Sequence, residues 1–106
     1  VVGEIASRAL TADPSNRAAW HLWALTEPSP RGRMTRWHQV TTRFPADKLA
    51  HAALADNATS VASAENDPVA LKLALGTYEM LLADATTDQE RVALTSSLGT
   101  LRKWKF

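Results

Sequence analysis

Apolar residues recur along this chain at intervals of three and four, the spacing that gathers them on one face of an α-helix. No segment shows the sustained alternation of a half-buried strand. Six segments carry the helical pattern. Residues 2–12 place Ile5, Ala6, Ala9 and Leu10 on one side. Residues 16–26 follow, with Ser15 or Asn16 as the N-cap and Trp20, Trp23 and Ala24 as the stripe. Residues 32–43 carry Met34, Trp37, Val40 and Thr41. Residues 46–63 carry Leu49, Ala53, Leu54, Ala58 and Val61, with Asp47 as the cap. Residues 68–84 hold Val69, Leu73, Ala74, Leu75, Tyr78, Leu81 and Leu82, the widest apolar arc, which predicts the most buried helix. Residues 88–104 use Val92, Leu94, Leu98, Leu101 and Trp104 behind Thr87 or Asp88.

The five prolines lie between these segments or in their first turns, where the missing N–H is tolerated. "EPSPRGR" (27–33) reads as a short, proline-rich loop and "SAENDP" (63–68) as a longer one. Short connections make neighbouring helices antiparallel. The expectation is one all-α domain over 1–106, built of about six helices in antiparallel hairpins. Gly76 and Gly99 fall inside predicted helices at a cost of about 1 kcal/mol each relative to alanine, which points to close helix–helix approach.

Composition narrows the function classes. Apolar residues make up 45% and charged residues 22% of 106, an ordinary globular balance. The net charge of +1 gives no global attraction to nucleic acid or an anionic membrane. With no cysteine there is no disulfide framework, thiolate metal site or cysteine nucleophile. No apolar run approaches the roughly 18 residues of a membrane helix. The chain begins at Val1 and reads as a fragment of a longer protein. Its alanine content favours helix and fits a GC-rich bacterial genome.

The punctuation repeats. Trp20 follows Pro14 by six residues, His51 follows Pro45 by six, and Val92 follows Thr86 by six. The anchors lie 31 and 41 residues apart, the period of a helical-hairpin array. "ASRALTADPSNRAAW" resembles the junction between two tetratricopeptide repeats. There a second helix ends in Ala-Leu-x-x-Asp-Pro and the next opens on a large aromatic. "ALGTYEMLLADATTD" is similar to a second helix, with Tyr78 as its buried aromatic. The sequence departs from the pattern at His51, where a large aromatic is usual, and in the partial small-residue pairs Trp23-Ala24 and Leu54-Ala55. "DPSNRAAW" is also similar to the prenyltransferase α-subunit repeat, but that family has an arginine where Trp23 stands.

The tetratricopeptide resemblance implies a short right-handed superhelix whose first helices line a concave groove for a peptide or protein partner. Carried onto this sequence, the groove residues are Ala18, His21 and Leu25, then Leu49, Ala52 and Asp56, then Ala93 and Ser97. The family's carboxylate clamp needs lysine and asparagine where His21 and Leu25 stand, so that clamp is not expected. Arg31, Arg33, Arg36 and Arg43, with Lys48, form the one basic cluster and are the anion-contact candidates.

Other features carry less. His21, His38 and His51 lack the spacing of a helical zinc site, and no metal or cofactor is expected. Asn57-Ala58-Thr59 matches a glycosylation sequon inside a predicted helix. Glu65, Asp67, Asp84, Asp88 and Glu90 sit at helix ends, where caps and dipoles account for them. The expected function is a non-catalytic interaction or scaffold module with a protein or peptide partner, or a second copy of itself. The other reading is an accessory segment of an enzyme or regulator that contacts phosphate or nucleic acid through the Arg31–Arg43 face.

Overall fold

Five helices account for most of residues 16–104, the part of the chain that the computed structural model describes. Each starts at a side chain that satisfies otherwise orphaned N–H groups. Helix α1 (Arg17–Leu25) starts at Asn16, which accepts from the Ala19 N–H at 3.1 Å. Helix α2 (Pro30–Arg43) starts at Ser29, which accepts from Gly32. Helix α3 (Lys48–Glu65) starts at Asp47, which accepts from Ala50. Helix α4 (Pro68–Ala83) starts at Asp67, which accepts from Val69 and Ala70. Helix α5 (Asp88–Arg102) starts at Thr87, which accepts from Glu90. The expected choices thus resolve to Asn16 and Thr87. No strand occurs among the described residues.

Two expectations need correction or bounding. The predicted helix over 2–12 lies outside the described residues, so the described helices number five. The loop at 63–68 is not long: α3 runs on to Glu65, and only Asn66 and Asp67 separate it from α4. Asn66 takes the left-handed conformation, φ 50°, which closes the helix in one residue.

Substantial packing runs between consecutive helices: α1 on α2, α2 on α3, α3 on α4, α4 on α5. Arg31, at the start of α2, meets Glu65, the last residue of α3, and Asp67 just beyond it. Lys48, at the start of α3, reaches the Asp84 carbonyl that ends α4. Neighbours are therefore antiparallel. The molecule is a slab of 43 × 33 × 18 Å. Its thin dimension matches about two helix diameters.

Ala24, Trp37, Val40, Ala50 and Leu54 form the core between α1, α2 and α3. Ala55, Ala58, Ala74, Tyr78, Leu81, Leu98 and Leu101 form the one between α3, α4 and α5. Met34 packs at the edge of both. The most buried helix is α3, not α4 as its wide arc suggested. Ala50, Ala55, Ala58, Val61 and Ala62 of α3 are fully covered. Lying between α2 and α4, α3 buries two sides, and alanine lets both neighbours approach.

Three expected core positions face solvent: Val69 at 76% exposure, Leu49 at 73% and Val92 at 70%. Leu49 and Val69 lie in first turns. Val92 points away from α4, whose side of α5 is taken by Leu94, Leu98 and Leu101. The glycine expectation is also corrected. A Cβ on Gly76 or Gly99 would meet no neighbouring heavy atom within 4 Å, so neither permits a close approach.

Candidate functional site

On α3, Leu49, Ala52, Asp56 and Thr59 fall at helical spacing along one face. On α5, Glu90, Ala93, Ser97 and Thr100 do the same. Helix α4 lies between, with Leu81 and Tyr78 as the floor of a trough. The trough holds two depressions. One, of about 390 Å³, is lined by Lys48, Leu49, Ala52, Leu81, Glu90, Ala93 and Leu94. The other, of about 220 Å³, is lined by Thr59, Tyr78, Ser96, Ser97, Thr100, Leu101 and Trp104. Ala93 and Ser97 are one turn apart, and so are Leu81 and Tyr78, which makes the depressions successive levels of one trough.

Asp56 stands between them. Its Oδ1 accepts from the Tyr78 hydroxyl at 2.5 Å. Burial, reinforced by that bond, pushes the phenol up to about 12. Tyr78 is therefore a neutral donor at ordinary pH.

The structure gathers five of the expected groove residues on this trough and separates the other three. Leu49, Ala52 and Ala93 line the wider depression and Ser97 the narrower, while Asp56 joins the Tyr78 wall. Ala18, His21 and Leu25 line neither. Ala18 and Leu25 are exposed on α1. His21 is drawn into the joint of α1, α2 and α3. Its Nε2 lies 2.5 Å from Asp47 Oδ2, and its ring stands edge-on to Trp37 at 5.1 Å. Burial pushes the Asp47 carboxyl up, but the His21 and Ala50 hydrogen bonds outweigh it and hold the group below the usual carboxylate range.

The arginines do not converge. Arg31 pairs with Glu65 and Asp67, which raises its own pKa through the Asp67 and Glu65 hydrogen bonds. Arg33 donates to Asn57 Oδ1 and to the carbonyls of Glu27 and Pro28. Arg36 donates to the Trp23 carbonyl, pairs with Glu27 at 3.1 Å and lies over the Trp23 ring at 4.9 Å. Arg43 lies 5.5 Å from the Phe44 ring. Arg31, Arg33 and Arg36 thus tie the loop and two neighbouring helices together, and form no shared anion cradle.

Trp20 and Trp23 are half-buried and meet edge to face at 5.6 Å, and Trp20 also meets Phe44 at 6.3 Å. They serve the joint rather than an open platform. His38 and His51 line a shallow depression on the other side of the slab with Leu54, Leu73 and Met80. The His51 ring is tied to the Pro45 carbonyl at 2.7 Å. Asn57, in the sequon, is engaged by Arg33 and donates to the Ala53 carbonyl.

Two contacts escaped sequence reasoning, His21–Asp47 and Tyr78–Asp56. Each residue was identified singly, as a cap, a groove position or a core aromatic. Only the register between helices brings the partners together. Searches of family models, curated proteins and solved structures find no match to the chain.

Proposed function

We propose that this chain is a non-catalytic interaction module that seats a short segment of a protein partner in the trough between α3 and α5. The observation that carries the reading is the trough itself. Two parallel helices present an open, mostly apolar channel over a third, with Leu49 exposed at its rim. A groove of this kind is where an apolar face of a short helical or extended peptide can lie. In finer detail the reading is a tetratricopeptide-like superhelix in which α3 and α5 are first helices of hairpins. Packing between consecutive helices alone supports it, since that is how a solenoid is built. The exposed side of α5 is polar apart from Val92 and Ala93. The anion-contact reading draws no support from arginines that are held by internal partners.

The test is a selection of displayed random peptides on the purified chain, repeated with Ala93→Arg. Ala93 is exposed, so the arginine fills the channel without disturbing the core. Selected peptides are expected to bind the parent chain and lose at least tenfold in affinity on the variant, about 1.4 kcal/mol, with circular dichroism unchanged. Peptides that bind both chains equally would sink the trough reading. Self-association of the parent chain that Ala93→Arg abolishes would assign the trough to a second copy instead.

A further inference from the structure

The trough is unequal in charge along its length. At its wider end Lys48 and Glu90 flank Leu49, Ala52, Leu81, Ala93 and Leu94. The Lys48 ammonium is held by the Asp84 carbonyl at 3.0 Å, at the negative end of the α4 dipole. One turn beyond Ala52 along α3 stands Asp56. It is exposed, its Oδ1 is fixed by Tyr78, and no cation among the described residues pairs with it. Three hydroxyls near it have their protons committed. Thr59 donates to the Ala55 carbonyl, Thr100 to the Ser96 carbonyl, and Tyr78 to Asp56. Their oxygens therefore face the narrower depression as acceptors. An apolar bowl thus adjoins a carboxylate that Tyr78 holds in place and that no cation of the described residues neutralises.

We infer that the segment this trough accepts is both apolar and basic: an apolar side chain seats over Ala52 and Leu81, and a lysine or arginine one turn away meets Asp56. The inference rests on the trough being the partner surface. Asp56 and the hydroxyl oxygens complement a cation with several N–H donors, whereas an acidic or purely apolar segment would leave the carboxylate desolvated and unpaired. Tyr78 acts as a positioning residue, since its hydroxyl fixes the orientation of the carboxylate.

The experiment sequences the peptides selected on the full chain and measures their affinity for the parent, Asp56→Asn and Tyr78→Phe. Asp56→Asn keeps an acceptor for Tyr78 and removes only the charge. Lysine or arginine is expected to be enriched three or four positions from an apolar residue. Affinity is expected to fall about three- to tenfold on Asp56→Asn and to weaken with salt, as a partly screened ion pair does. Tyr78→Phe is expected to keep the preference for a basic residue. Peptides that depend on Ala93 yet lack basic residues, or bind Asp56→Asn as tightly as the parent, overturn the inference and leave the trough reading standing. Peptides indifferent to Ala93→Arg, or a selection that yields none, overturn both.

Discussion

His21 and Asp47 are 26 residues apart, yet their side chains meet at 2.5 Å. Asp47 does two jobs, since its other oxygen caps α3. Asp47→Ala loses a cap and a charge-assisted hydrogen bond and is expected to cost about 2–4 kcal/mol. His21→Ala keeps the cap and is expected to cost less. Urea denaturation of both single variants and the double is expected to give a coupling of about 1–2 kcal/mol. An Asp47→Ala loss no larger than that of His21→Ala would count against the cap. The glycines give the opposite sign. With open space at each Cβ position, Gly76→Ala and Gly99→Ala are expected to stabilise by about 0.5–1 kcal/mol each. Gly32→Ala is expected to destabilise, because its Cβ would meet the Glu27 side chain that pairs with Arg36. Thermal unfolding of the three variants checks the contrast.

At the level of the element, caps and loop signals were legible and burial was less so. Asp47 was readable as a cap and Pro68 as a first-turn residue, because both act within their own turn. The status of α3 was hidden, since its core side is built from alanines whose burial depends on what packs on them. Ala58 is fully buried between α3, α4 and α5. Ala58→Leu is therefore expected to overpack the core and cost about 1–3 kcal/mol in denaturant unfolding. A neutral result would mean the interface holds unfilled space. The exposure of Val92 weakens the six-residue offset from Thr86 as a structural equivalence, because Trp20 at the first anchor is half-buried and His51 at the second is too.

For the whole molecule, the ends of neighbouring helices are pinned by carboxylates. Asp67 is held below its usual range, first by Arg31 and then by the Ala70 N–H, as Asp47 is by His21 and Ala50. Both folded-state values lie below the unfolded value of about 3.9. The contribution is therefore complete above about pH 4 and is lost as pH falls through the folded values. Unfolding midpoints are expected to hold from pH 7 to 5 and drop between pH 4 and 2, by less in Asp47→Asn. A parent chain equally stable at pH 2 and 7 would contradict this. No helix among the described residues is long and apolar enough to cross a membrane.

By itself the sequence determined the five described helices and the cap at Asp47, and narrowed two further caps to Ser15 or Asn16 and to Thr87 or Asp88. It also determined the antiparallel order, because periodicity, capping and short loops are local properties that a chain carries wherever it packs. The tertiary structure alone decided which apolar residues are core, leaving Leu49, Val69 and Val92 outside and making α3 the centre. It also set apart three of the eight expected groove residues, gathered the other five along one trough, and tied Arg31, Arg33 and Arg36 to carboxylates, carbonyls and the Asn57 amide. Those outcomes depend on the rotation and register of one helix against the next. A shift of one residue turns a side chain by about 100°, and the pattern along a single helix does not specify that register.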